Sequence, residues 1–381
     1  MEDDSRRPVA SLANRRSFLG AVGASGTLAL AGCAGLGGGS DEDPFDDYGP
    51  QGAAVAPSAV SWDDLGELTG ELTIYSGRTR DQIDPLFAAI EDRYDGFTID
   101  SDFDDNSTQL NKINEETADT RPDIFYTQSS GALAALKQDD LVRTLPEDII
   151  DAVDDNYSDP DGTWTGASGR VRAIQYNTEV WDGDADDLPD DIMAYATDDR
   201  FEGIISTRPN SGTFRSFVVA MMEMEGEQST REWVRGMVDD QDVTLYSSGS
   251  QQAEEVNAGN QAVGLGNQYY AGRILENDPD APIDVAFTEN DAGCLFNVSG
   301  IGILADADKP NLAAEFARHV LAAEGQAFFV ETNGEYPVLD GIDYVGDLPT
   351  LSEINPPEFD LNTLANVEQA VDLLRDEGMT I

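Results

Sequence analysis

From Leu72 onward, short apolar runs alternate with segments whose apolar residues recur at helical spacing, and this alternation constrains the fold more than any other feature. Leu72-Thr73-Ile74-Tyr75 is a strand-length run stopped by Ser76-Gly77, after which Ile83, Leu86, Phe87 and Ile90 follow a helical period. Residues 97–100 read as the next strand, 106–118 as a helix and 123–126 as a third strand, while Leu133, Leu136 and Leu141 mark another helix and its exit. Residues 172–176, 203–205, 243–246, 262–265 and 283–287 supply later strands. Such alternation predicts an α/β fold with a mostly parallel sheet, and in such sheets ligands sit beyond the carboxyl ends of the strands. A length of 381 residues fits about two domains.

The charge is extreme. Asp and Glu total 75 against 22 Lys and Arg, a formal net charge of −53. The acids are spread over the whole chain, as in Asp41-Glu42-Asp43, Asp154-Asp155 and Asp186-Asp187. Nucleic acid is excluded as a partner because binding it needs a basic footprint. Self-repulsion on this scale loosens a compact fold at low ionic strength and is screened within about 3 Å in molar salt, so we read the charge as adaptation to high salt.

The first 71 residues read as an address and a tether. Asn14-Arg15-Arg16-Ser17-Phe18-Leu19-Gly20 forms a twin-arginine signal, followed by a Gly/Ala-rich apolar stretch over 21–32. That stretch is too short for a membrane span of roughly 20 residues. Leu30-Ala31-Gly32-Cys33 resembles a lipobox, which makes Cys33 the lipidated N-terminus of the mature chain, with 1–33 as the signal. Residues 34–71 are rich in Gly, Ser, Asp, Pro and Ala without sustained periodicity and read as a flexible tether. The chain is therefore expected outside the cell, exported already folded and held to the membrane by lipid.

A set of segments then carries a resemblance. Leu72 to Arg78, Pro122-Asp123-Ile124-Phe125-Tyr126-Thr127, Trp164 with Ser168-Gly169-Arg170 through Tyr176-Asn177-Thr178, Pro209-Asn210-Ser211-Gly212-Thr213-Phe214, Asn267-Gln268-Tyr269-Tyr270, Asp291-Ala292-Gly293 and Glu335-Tyr336-Pro337 occur in that order. The chain resembles the periplasmic ferric-binding proteins, a branch of the type 2 periplasmic binding proteins. The resemblance implies two α/β lobes joined by two crossing strands and closing on ligand as a hinged trap: 72–169 with 293–344, and 170–292 with 345–381. It implies a monomeric solute-binding protein of an ABC importer that delivers its cargo to a membrane permease, and no enzyme activity.

The implied chemistry centres on Tyr269-Tyr270, which follows an apolar strand. Strand neighbours point to opposite faces, so both tyrosines reach one ligand only where the backbone leaves the strand. Ferric iron prefers anionic oxygen, and a trivalent cation drives a phenol to its phenolate. In the family this pair supplies the principal Fe3+ ligands, and in some branches a tyrosine at the position of Tyr176 adds a third. Asn210-Ser211-Gly212-Thr213 precedes a predicted helix, and free backbone N–H groups at a helix start bind anions. The resemblance assigns Ser211, Gly212, Thr213 and Asn267 to an anion, carbonate or phosphate, that completes the iron shell. Many relatives carry histidine where this chain has Thr79 and glutamate where it has Gln128. Without those ligands the site relies on Tyr176, Tyr269, Tyr270 and the anion, with Arg78 or Arg172 to hold it. The rival reading is a same-fold binding protein for an organic or anionic solute such as thiamine, a polyamine or a phosphorylated compound.

The remaining residues narrow the choice. His319 is the single histidine and reads as a surface or packing residue, and Cys294 as a small buried one. A lone histidine weakens every scheme that needs a His base or a His metal cluster. No Gly-x-Ser-x-Gly elbow, His-Glu-x-x-His motif or phosphate-binding P-loop is present, which argues against a secreted hydrolase.

Overall fold

The computed structural model describes residues 50–380 except 57, 119, 120, 341, 343 and 345–347. The export signal, Cys33 and the first part of the tether lie outside the described residues.

The alternation read from the sequence is realised as β1 (Gly70–Ser76), α1 (Arg80–Arg93), β2 (Phe97–Phe103), α2 (Asn106–Glu115), β3 (Ile124–Thr127), α3 (Ser130–Gln138) and α4 (Glu147–Asp151). Then come β4 (Thr165–Asn177), β5 (Ile205–Thr207), α5 (Gly212–Met224), α6 (Glu227–Arg235), β6 (Thr244–Leu245), α7 (Gly249–Asn257), β7 (Val263–Asn267) and α8 (Gln268–Asn277). The chain closes with β8 (Ile283–Ala286), β9 (Phe296–Ile303), α9 (Pro310–Leu321), α10 (Ala323–Phe328) and α11 (Val367–Asp376). The helices start where the sequence supplies caps. Asp105 accepts from the backbone of Ser107 and Thr108, Ser211 from Phe214 and Ser248 from Gln251.

The strands order as β2-β1-β3-β9-β4-β7-β5-β6, with β8 also on β4. The expectation of a mostly parallel sheet is corrected to a mixed one. Pairs β1/β2, β1/β3, β5/β6 and β5/β7 are parallel, but every pair made by β9 or β4 is antiparallel. β9 was not read from the sequence at all. It is buried at every position, and its apolar alternation (Phe296, Val298, then Ile301, Ile303) changes phase at Ser299-Gly300, so no single period runs its length.

β4 organises the molecule. All 13 of its residues are buried. Its first half pairs with β9, from Thr165↔Ile301 to Val171↔Phe296. Its second half pairs with β7, from Arg172↔Asn267 to Tyr176↔Val263. The strand thus leaves one half of the sheet and enters the other between Val171 and Arg172. Gly169 stands at the crossing because a Cβ there would lie 1.8 Å from the ring of Phe296.

The tether is shorter than the sequence suggested. Val55, Trp62, Leu65 and Leu68 are buried. Gln51 donates its N–H to Glu315 (2.8 Å), the indole of Trp62 donates to the carbonyl of His319 (2.8 Å), and Ser61 donates to Glu324 (2.7 Å). This segment lacks a local period because distant contacts hold it, and it lies as a strap on α9 and α10.

His319 is fully buried at the centre of that contact, resolving the surface-or-packing choice in favour of packing. One ring nitrogen lies 2.7 Å from the hydroxyl of Tyr94 and the other 2.6 Å from the carbonyl of Glu315. Burial holds its pKa below the ordinary value, at about 4. The unfolded chain therefore takes up this proton first as pH falls. The contribution is fully present above about pH 6.5 and is lost progressively toward pH 4. Between pH 7 and pH 5 the wild type should lose about 2 kcal/mol more than His319→Gln does, measured by denaturant melts at each pH. Parallel pH profiles for the two proteins would show that His319 does not titrate with unfolding.

Candidate functional site

β7 ends at Asn267 and α8 begins at Gln268, so Tyr269 and Tyr270 occupy the first turn of a helix. Successive helical residues do not normally face one another. Here the two rings converge, with centroids 4.3 Å apart at 45°. Tyr269 is buried and Tyr270 half-buried. The hydroxyl of Tyr269 accepts from the side-chain amide of Asn267 at 3.3 Å, and that amide also donates to Thr213 at 3.4 Å. Burial, then the second phenol beside it, push the Tyr269 pKa upward, against the opposing pull of Arg170. Tyr269 is thus a neutral phenol at ordinary pH.

Asn267, Ser211, Thr213 and Tyr270 line one cavity with Arg172 and Arg208. Two helix N-termini border it, since Ser211 caps α5 and Gly249 begins α7. Gly249 has no room for a side chain, because a Cβ would stand 2.4 Å from the ring of Tyr270. Gly212 is exposed at the start of α5.

The two candidate arginines differ. Arg78 is fully buried and bound to Glu335, its Nη2 reaching Oε1 at 2.9 Å and its Nη1 reaching Oε2 at 3.0 Å. Its Nη1 also donates to Ser299 at 2.9 Å and Ser168 at 3.2 Å. Its charge is already matched. Arg172 is 6% exposed, lies 4.5 Å over the ring of Phe217, and donates to the carbonyl of Leu265 at 3.2 Å. Among the described residues it has no carboxylate partner, and burial lowers its pKa to about 9.

Tyr176 is not brought to this cluster. It pairs with Val263, at the opposite end of β7 from Asn267, and lies four residues beyond Arg172, roughly 13 Å along β4. Its hydroxyl meets Asp284 at 3.4 Å, and burial and that carboxylate raise its pKa to about 12. The expectation of a third phenolate here is therefore corrected: ending a predicted strand says nothing of which end of the neighbouring strand it adjoins. Thr79 is exposed and caps α1 in a box with Gln82. Gln128 contributes its carbonyl, which accepts a short hydrogen bond from Arg170.

Arg170 and Glu335 were not singled out from the sequence as site residues. Arg170 is 1% exposed, and its Nε and Nη1 are buried with no hydrogen-bond partner. Its pKa is lowered by burial and by the charge of Arg78, while Glu335, Tyr269 and Tyr270 pull it upward. The available signal was the alternation Ser168, Arg170, Arg172, which puts three polar side chains on one face of β4. Among the described residues no three His, Cys, Asp or Glu side chains converge as a metal cluster.

Over residues 119–359 the chain matches the family described as bacterial extracellular solute-binding protein. It is 27% identical over 329 residues to iron uptake protein A1 of Synechocystis, covering 81% of this chain and 87% of that protein. It is 24% identical to the major ferric iron-binding protein of Neisseria meningitidis, over 81% of this chain and 93% of that one. Among solved structures, iron-bound HitA from Pseudomonas aeruginosa superposes with a TM-score of 0.74 at 25% identity, covering 81% of this chain and 99% of that chain. A Trichodesmium protein in complex with iron and citrate ligands shares the fold, with a TM-score of 0.70 at 22% identity over 82% and 100% of the two chains.

The buried Arg78–Glu335 pair yields a direct test of how this region is held. Removing one partner strands the other charge in the interior, which typically costs about 3–5 kcal/mol. Glu335→Gln should lower unfolding stability by about that much in urea melts. A loss below about 1 kcal/mol would mean that Arg78 is satisfied without Glu335.

Proposed function

This chain belongs to the bacterial extracellular solute-binding proteins, and from that premise we propose that it captures ferric iron and hands it to the membrane permease of an ABC importer. Tyr269 and Tyr270 would supply phenolate oxygen. An anion held by Ser211, Thr213, Asn267 and the start of α5 would complete the iron shell, with Arg172 as its counter-charge. Arg170, with free donors beside both tyrosines, would offset the negative charge that builds up when the phenols ionise. The protein would act outside the cell as a lipid-anchored monomer, exported folded and suited to high salt. The strap over residues 50–68 would then connect the anchor to the half of the sheet that carries β1. The halves on either side of the β4 crossing would form two lobes that close on cargo.

The observation that carries this reading is the convergence of two adjacent phenol rings at 4.3 Å on the first turn of α8, beside buried arginines. Two neutral phenols are poor ligands for a small soluble cation. A trivalent ion strong enough to displace their protons turns them into hard anionic oxygens. The iron-related names of the relatives point the same way.

Ferric titration in molar salt with carbonate present tests the proposal. The wild type should develop a visible phenolate-to-iron band. Tyr269→Phe and Tyr270→Phe should each bleach or shift it and weaken binding by at least roughly a hundredfold, more than the loss of an outer-shell partner. Tyr176→Phe should bind as wild type does. Affinity should fall as pH falls, by roughly tenfold per unit for the Tyr269 proton alone. A colourless wild type, or a Phe variant of the pair with unchanged affinity, would overturn the assignment.

A further inference from the structure

The triplet Asn-x-Ser/Thr, with x other than proline, occurs three times, as Asn106-Ser107-Thr108, Asn156-Tyr157-Ser158 and Asn297-Val298-Ser299. In a chain that leaves the cell, this triplet accepts an N-linked glycan when it lies on the surface. The fold separates the three. Asn297 is 4% exposed inside β9, where its side-chain amide donates to Ser129 at 3.1 Å and its side-chain oxygen accepts from Ser130 at 3.2 Å. Asn106 is half-buried at the start of α2, and its side-chain oxygen accepts the backbone N–H of Gln128 at 3.1 Å. Asn156 is exposed on a single 3-10 turn (Asp155–Tyr157), and the hydrogen bond it makes among the described residues is through its backbone N–H, to Asp154 at 2.9 Å.

A chain exported already folded meets a glycosylating enzyme as a folded surface, so the cost of opening each triplet decides between them. Freeing Asn156 and the buried hydroxyl of Ser158 opens one 3-10 turn and the isolated bridge between Ser158 and Thr165. Freeing Asn297 tears β9 from β4, where Asn297 stands opposite Arg170. The surroundings of Asn156 also supply a seat. Asn156 lines a partly open cavity together with Tyr157, Phe296, Pro357, Glu358 and Phe359. The rings of Tyr157 and Phe296 lie 4.4 Å apart. The C–H face of a sugar ring rests on aromatic faces, which carry partial negative charge, and leaves its hydroxyls for the carboxylate of Glu358.

We propose that Asn156 carries an N-linked glycan whose first sugar seats in this cavity. The inference rests on the reading of the chain as exported and lipid-anchored, and is independent of its cargo. The donor is an oligosaccharide carried on a lipid phosphate, and a membrane-bound transferase brings the two together. The side-chain nitrogen of Asn156 forms a bond to the anomeric carbon of the first sugar as the bond from that carbon to the phosphate oxygen breaks. The lipid phosphate leaves with the electron pair, and the amide gives up one proton to a base of the transferase. No oxidant or reductant enters.

The test takes the protein from the membrane fraction of its source cells and reads peptide masses across all three triplets. Whole sugar residues on Asn156, and none on Asn106 or Asn297, are expected. Asn156→Gln and Ser158→Ala should each remove the added mass, and Ser158→Thr should retain it, because threonine keeps the hydroxyl that the triplet requires. Melting reads the seat. The glycosylated protein should melt about 2 °C above Asn156→Gln. Phe359→Ala should erase that difference while the glycan stays in place, a cycle that cancels any loss of stability from the Phe359 change itself. Bare Asn156 on a chain that carries lipid on Cys33 would overturn the glycan and leave the export reading standing. A chain without lipid, confined to the cytoplasm, would overturn the export reading and the glycan with it. Sugar on Asn106 or Asn297 instead, or added mass that survives Ser158→Ala, would overturn the assignment to Asn156. A melting difference that persists in Phe359→Ala would overturn the seat.

Discussion

The structure depends on one strand. β4 is buried along its whole length and pairs with β9 in one half of the sheet and with β7 in the other. Such pairing fixes register, and register fixes which side chains share a face. Ser168, Arg170 and Arg172 therefore line up on one side of the crossing. Ser168 joins the Arg78–Glu335 pair, accepting from Arg78 and donating to Glu335 at 2.7 Å. Arg170 donates to the carbonyl of Gln128, and Arg172 lines the cavity. A slip of one residue would turn all three to the opposite face.

Charge is distributed with a clear division. Acidic residues crowd the surface, where solvent and salt screen them. Three arginines sit within the crossing region, each less than one-tenth exposed. Among the described residues, only Arg78 of the three has a carboxylate partner. Arg170 keeps its Nε and Nη1 buried without a hydrogen-bond partner.

Much of this was legible in the sequence, and the failures have physical causes. β1 to β3 and α1 to α3 announced themselves by local period. The Tyr269-Tyr270 pair was legible as two tyrosines at the end of an apolar strand, and its ligand role came from the family resemblance. Ser211 and Thr213 were legible as caps of a predicted helix, while Asn267 came from the resemblance alone. Glu335 was not, because its partner Arg78 lies 257 residues away and no local pattern records such a pair. β9 was missed because its alternation changes phase at Ser299-Gly300 and glycines fill two of its eight positions. Tyr176 was misjudged because a residue's place at the end of a strand does not reveal which end of the antiparallel neighbour it meets. The strap over 50–68 read as linker because its few apolar residues are spaced by the shape of the surface they cover.

The central claim is that Tyr269 and Tyr270 hold one ferric ion between them. It is tested most directly by anomalous scattering at the iron edge from crystals of the iron-loaded protein. The account predicts a single peak within bonding distance of both phenolic oxygens, on the side facing Arg170. A peak elsewhere on the chain, or an iron bound with neither phenol in its shell, would contradict it.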